Sequence, residues 1–83
     1  MKYELTEHAR TILEERQIPI SYLERVIQNP ELSLKDENDT HLEHLLGKIH
    51  EYDNRVLRVV INKNIDPMRI VTVYYDRTMR GKL

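Results

Sequence analysis

The chain has 83 residues, a formal net charge of −1 and no cysteine. This length suits one domain, residues 1–83, and the composition excludes disulfides and thiolate metal sites. Acidic and basic side chains are nearly equal in number. Because RNA binding depends on basic residues that neutralise phosphates, the overall charge counts against RNA binding unless Lys and Arg cluster locally.

No targeting or membrane segment is evident in the sequence. The first ten residues lack the apolar run of a signal peptide, and no stretch approaches the roughly 18 apolar residues of a membrane span. We therefore expect a soluble, cytoplasmic protein with no membrane contact.

The N-terminal residues predict a first helix. Apolar side chains recur at helical spacing from Leu5 to Leu13, and Thr6 is a suitable N-cap. The spacing predicts a helix from about Glu7 to Gln17.

A second helix is predicted after Pro19, which interrupts the first. Ser21 and Glu24 have the spacing of a capping box that would open it. Asn29-Pro30 would end it, because the residue before proline avoids helical geometry.

The second half of the chain changes to strand patterns. Residues 55–61 and 69–75 are rich in β-branched and aromatic side chains, which favour strands. Residues 32–35 predict a short edge strand, followed by a polar loop. The segment 41–52 is ambiguous: its leucines have helical spacing, but Gly47 and the turn signal Asp53-Asn54 favour a strand entering a hairpin.

The ends of the chain carry a set of recognisable motifs. These are Glu7-His8-Ala9 near the start, Asn29-Pro30, Arg55-Val-Leu-Arg-Val-Val, and Ile70-Val-Thr-Val-Tyr-Tyr-Asp-Arg77. The set resembles a family of small bacterial domains of unknown function with a histidine near the start, an RxLRV strand and a VTxxxDR strand. The resemblance covers nearly the whole chain.

That family is suspected to share the fold of RelE-type and barnase-like RNA-cleaving toxins. The resemblance implies an α+β fold, with two N-terminal helices packed on one face of a three- to four-stranded antiparallel sheet. It also implies that residues 44–52 form a strand.

Strand alternation sorts the side chains onto two faces. The helices are expected to cover Leu57, Val59 and Ile61 on one strand and Val71, Val73 and Tyr75 on the next. Arg58, Thr72 and Tyr74 would then share the opposite face, here called the open face. His44 and His50 join the open face if the hairpin loop has three residues, and the other face if it has two.

Four residues are candidates for a catalytic site. RNA cleavage without a metal needs a proton acceptor for the ribose 2′-OH, a proton donor, and cations for the phosphorane charge. His8 suits proton transfer, and Arg58 suits the charge. Thr72 and Tyr74 would orient the phosphate or a base. Each has a structural alternative: a hydrogen-bonded histidine, an ion pair of Arg58 with Asp76 or Glu51, and ordinary strand formers.

Four further side chains are candidates for RNA binding: Arg16, His44, Arg77 and Arg80. The alternatives are a salt bridge from Arg16 to the second helix and a merely solvated basic tail. A metal site is not expected, because on a strand His41 and His44 point to opposite faces, and His44 and His50 lie about 20 Å apart.

Two kinds of function follow from these residues. One is a metal-independent, cofactor-free ribonuclease of toxin type that is restrained by an antitoxin-like partner. The other is a non-catalytic protein-binding module or an inactive toxin relative, which the balanced charge and the acidic loop 36–39 suit better.

Overall fold

The computed structural model describes residues 2–83, in which two helices pack against one face of a five-stranded sheet. The elements are β1 (Tyr3–Leu5), α1 (Glu7–Glu15), α2 (Ile20–Gln28), β2 (Leu32–Lys35), β3 (Leu42–Ile49), β4 (Arg55–Asn62) and β5 (Met68–Tyr75), with short 3₁₀ turns at His50–Tyr52 and Arg77–Met79. Neither helix within residues 2–83 has the length and apolar character that crossing a membrane requires.

The sheet is larger than the sequence predicts, and it is mixed. Its strand order is β1-β5-β4-β3-β2, and β1 runs parallel to β5, pairing Tyr3 with Met68 and Leu5 with Ile70. The prediction of three or four antiparallel strands is therefore wrong in strand number and in this one pairing. A strand of only three residues is too short to show alternation, and its partner lies near the other end of the chain.

The helix boundaries confirm one predicted cap and correct another. The Thr6 hydroxyl accepts a hydrogen bond from the Ala9 amide at 3.0 Å, as an N-cap should. The predicted capping box of Ser21 is wrong, because α2 begins at Ile20 with Pro19 as N-cap and no side-chain cap. Gln17, with a φ of 54°, ends the first helix early, and the fixed φ of proline suits the start of the next.

Most of the ambiguous segment is a strand, as the resemblance implies, but the strand ends at Ile49 and His50–Tyr52 form a 3₁₀ turn. β3 pairs with β2 on one side and with β4 on the other. A Cβ added to Gly47 would lie 3.2 Å from Cγ2 of Val26. The glycine in this strand therefore lets α2 lie close against the sheet.

The main core lies between the helices and the sheet. Its buried residues include Leu13, Leu23, Val26, Leu45, Ile49, Leu57, Val59, Ile61, Ile70 and Val73. Leu57, Val59 and Ile61 are thus confirmed beneath the helices. The prediction for Val71 is wrong. On β5, Thr72 pairs with Val60 and Ile70 pairs with the next residue of β4, Ile61, so a bulge leaves Val71 without a partner. Ile70 therefore occupies the core position that was predicted for Val71.

The open face also carries buried apolar side chains. Leu46, Val56 and Val60 are 0%, 1% and 5% exposed, although they point away from the helices. The C-terminal residues lie along one end of this face: the Asp76 amide donates to the Val56 carbonyl at 2.8 Å, and Lys48 Nζ donates to the Leu83 carbonyl at 3.3 Å. The central strand β4 is therefore buried on both sides.

The contact between α2 and the sheet predicts the cost of truncating its core residue. Leu23 is fully buried, whereas Ile20 on the same helix is 46% exposed. Leu23→Ala should lower the free energy of unfolding by about 2–5 kcal/mol, and Ile20→Ala by less than about 1 kcal/mol. Urea unfolding followed by circular dichroism measures both, and equal midpoints would contradict this packing.

Candidate functional site

The strand register places four candidate residues together on the open face. Arg58 lies opposite Tyr74, and Val60 lies opposite both His44 and Thr72. The register follows from the connection between β3 and β4, in which Ile49 pairs with Arg55. Paired residues have their side chains on the same face, and side chains alternate along each strand. Because His44 pairs with Val60, which is two residues from Arg58, His44 lies on the same face as Arg58.

His50 does not join this face. It lies in the turn after β3, where its Nδ1 is 2.8 Å from Oδ1 of Asn54. The prediction that it would accompany His44 on the strand is therefore wrong, because β3 ends at Ile49.

Arg58 makes two short contacts and is largely buried. Its Nε donates to Oδ2 of Asp76 at 2.8 Å, its Nη1 donates to Nδ1 of His44 at 2.7 Å, and its side chain is 15% exposed. The predicted ion pair with Asp76 is present, whereas Glu51 instead pairs with Arg25 at 2.6 Å. A charge on a central strand is costly unless it is paired in this way.

The partners of His44 fix the position of its proton. A guanidinium can only donate, so Nδ1 must accept from Arg58, and the ring proton is on Nε2. Nε2 lies 2.7 Å from Oδ1 of Asp36 and donates to it. Asp36, His44, Arg58 and Asp76 thus form one hydrogen-bonded series, here called the polar chain.

Both carboxylates of the polar chain are stabilised in their charged form. The hydrogen bond from His44 and the amides of Asn38 and Asp39 hold the pKa of Asp36 below its usual value. The hydrogen bond from the Thr78 hydroxyl is the largest cause that lowers the pKa of Asp76, and the Thr78 amide and Arg58 add to it.

His8 reaches the open face from the edge of the sheet. Its Nε2 lies 3.0 Å from Oγ1 of Thr72, and the side chain is exposed. Strand β1 pairs with β5 only as far as Ile70. Just beyond it, the Thr6 amide donates to the Ile70 carbonyl, and the Thr6 hydroxyl donates to the Val71 carbonyl. Helix α1 therefore begins beside the uncovered part of β5, next to Thr72.

A groove of about 810 Å³ lies between the C-terminal end of α1, the His50–Tyr52 turn and the end of β5. We call it the arginine groove, and its lining includes Arg16, Arg55, Arg77, Arg80, Tyr52, Tyr74 and Tyr75. Three of the predicted RNA-binding residues meet here, and only His44 does not. No sequence pattern predicted a binding role for Tyr52 and Arg55, which meet across a turn.

The histidines make separate polar contacts. His41 Nδ1 lies 3.0 Å from the side-chain nitrogen Nδ2 of Asn64, on a different loop from the contacts of His44 and His50. Within residues 2–83, no three His, Cys, Asp or Glu side chains form a group that could hold a metal ion.

Comparison with known families agrees with the terminal motifs. The model of a family described as a domain of unknown function (DUF4258) matches residues 5–75. The chain belongs to this family. The DUF4258 match includes His8, Arg58, Thr72 and Tyr74, whereas Arg77 and Arg80 lie beyond it.

Neither the curated proteins nor the solved structures contain a match to this DUF4258 chain. The relation to RelE-type or barnase-like toxins and the bacterial origin therefore stay predictions from the resemblance.

The lowered pKa of Asp76 predicts a loss of stability in acid. Because folding lowers this pKa from its ordinary value of 3.8, the carboxylate contributes its full stability above that value. The contribution disappears as the pH falls through the lowered pKa of the folded state.

Asp76→Asn should therefore be less stable than the wild type at neutral pH and should lose less stability between about pH 5 and about pH 2. Urea midpoints measured across this range test it. The control is Glu37→Gln, which removes an exposed loop carboxylate and should follow the wild-type curve. If the stability of Asp76→Asn fell with pH in parallel with that of the wild type, Asp76 would not be the source of the acid sensitivity.

Proposed function

We propose that this DUF4258 domain is a metal-independent ribonuclease that cleaves RNA at its open face. The observation that carries the proposal is the exposed imidazole of His8, held against Thr72 at the edge of the face on which Arg58 lies. A proton-transfer group and a guanidinium on one face of the sheet supply two of the groups that cleavage by a ribose 2′-OH requires, the proton acceptor and the cation.

In the proposed reaction, His8 takes the proton of the 2′-OH. The freed oxygen forms a bond to the adjacent phosphorus, and the bond from phosphorus to the 5′ oxygen breaks. The products are a 2′,3′-cyclic phosphate and a 5′-hydroxyl. The 5′ oxygen takes its proton from water, and His8 then returns the proton of the 2′-OH to the hydroxide that is left. Thr72 would hold the imidazole in place, and Tyr74 would orient the phosphate.

Arg58 can serve this reaction without leaving Asp76. Of the five N–H donors of a guanidinium, Nε–H and one on Nη1 are used by Asp76 and His44. The remaining donors can bind phosphate oxygens as negative charge develops on them. The polar chain would hold the guanidinium in position before the substrate arrives, so little reorganisation is needed.

A second candidate is a protein-binding module, and the edge strand β2 favours it. In the described residues β2 pairs only with β3, and Leu34 on it is 39% exposed. Such an edge could accept a strand from another protein. The same edge would suit an antitoxin-like protein that restrains the ribonuclease.

The ribonuclease proposal predicts the effect of removing His8. Purified protein should cleave a single-stranded RNA in the presence of EDTA and leave a 2′,3′-cyclic phosphate. His8→Ala should slow cleavage by about 10²–10⁴-fold, because general acid–base catalysis contributes that much. The rate is read from single-turnover assays on a labelled oligonucleotide.

His41→Ala is the matched control, since it removes another exposed imidazole away from this face. It should cleave at the wild-type rate, and both variants should keep the wild-type urea midpoint. Failure of the wild-type protein to cleave, or equal rates for the wild type and His8→Ala, would reject the ribonuclease and favour the binding module.

A further inference from the structure

We propose that the arginine groove binds an unpaired stretch of the nucleic acid beside the cleavage site. Its arginines would hold backbone phosphates, and its tyrosines would stack on a base. This inference rests on the proposed function, since it names the substrate class as single-stranded RNA rather than duplex.

The charge balance of the groove favours an anion. Arg80 is neutralised by Asp53 at 2.6 Å, and Asp76 is taken by Arg58. The other three arginines of the groove have no ion-pair partner among residues 2–83: Arg16, Arg55 and Arg77. Only the Glu15 carboxylate remains to oppose them. In a chain with a net charge of −1, this is a local excess of positive charge.

The guanidinium of Arg55 is held in place without a carboxylate partner. Its Nε is buried and has no hydrogen-bond partner within residues 2–83. Its guanidinium carbon lies 4.5 Å from the centroid of the Tyr52 ring, which fixes the plane of the group. Because Arg55 has no ion-pair partner among residues 2–83, a phosphate in the groove would be attracted to its guanidinium without displacing a carboxylate.

The tyrosines give the groove an aromatic surface. Tyr52 and Tyr74 are 44% and 41% exposed, and the rings of Tyr52 and Tyr75 pack edge-to-face with centroids 5.1 Å apart. Exposed tyrosines beside unpaired arginines are typical of sites where bases stack and the backbone is neutralised. Stacking on tyrosine needs a base whose face is free, which a duplex does not offer.

The groove is continuous with the proposed cleavage site. Tyr74 and Asp76 line the groove, and both lie beside Arg58: Tyr74 is its neighbour across the strands, and Asp76 is its ion-pair partner. A strand whose phosphate meets Arg58 would therefore reach the groove at these two shared residues. An acidic peptide could satisfy the arginines, but it would leave the tyrosine faces without a stacking partner.

The test uses a fluorescein-labelled single-stranded DNA octamer, which lacks the 2′-OH and so stays intact during binding. Fluorescence anisotropy at low salt compares the wild type with the double variant Arg16→Gln/Arg77→Gln. We expect about a 10- to 100-fold loss of affinity and a smaller salt dependence, because phosphate contacts are removed. Tyr52→Ala should weaken binding by about 5- to 100-fold through lost stacking.

The control is Arg10→Gln/Arg69→Gln, which changes the net charge equally at exposed arginines outside the groove. It should bind within about 3-fold of the wild type. The proposal would be overturned if the wild type did not bind the octamer, or if both double variants lost affinity equally. It would also be overturned if a duplex octamer bound with equal affinity, or if polyglutamate at equal charge concentration displaced the octamer.

The outcomes for groove and cleavage are separable. If the octamer binds through the groove but His8→Ala cleaves as fast as the wild type, only the ribonuclease is rejected. If RNA is cleaved in a His8-dependent reaction and Arg16→Gln/Arg77→Gln keeps the wild-type KM, only the groove is rejected.

Discussion

The open face is organised by one largely buried cation, the guanidinium of Arg58. It lies on β4, the central strand, where apolar side chains surround it and an unpaired charge would be strongly unfavourable. Asp76 from the end of β5 and His44 from β3 satisfy it, and Asp36 holds His44 in turn. This polar chain joins β3 and β4 to the residues that follow β2 and β5, and it ties the C-terminal residues to the sheet.

Helix α1 and strand β5 together provide the frame for both proposed sites. The first turn of α1 carries His8 to Thr72, while its C-terminal end places Arg16 at the arginine groove. Along β5, Thr72 and Tyr74 face the same side as Arg58. Because α1 and β5 pack against each other in the core, the distance between the two sites is set by rigid elements.

Local patterns predicted much of this fold, and contacts between distant residues account for what they missed. Capping chemistry located the start of α1, β-branched runs located β4 and β5, and an arginine between apolar residues implied a partner that proved to be Asp76. The bulge at Val71 was not predictable, because strand alternation assumes regular pairing; the bulge lies directly after the last residue of β5 that pairs with the unpredicted strand β1. The turn at Asp53-Asn54 was predicted, and both residues have positive φ values, 57° and 56°. The arginine groove was not, because it brings Arg16 near the start of the chain together with Arg77 near its end.

The protonation of His44 tests the polar chain most directly. Long-range ¹H–¹⁵N correlation spectra of the uniformly labelled protein at neutral pH distinguish the two imidazole nitrogens. The structure predicts a protonated Nε2 that donates to Asp36 and an unprotonated Nδ1 that accepts from Arg58. A proton on Nδ1, either in the other neutral tautomer or in an imidazolium, would be incompatible with the Arg58 contact and would contradict the arrangement from which the site is built.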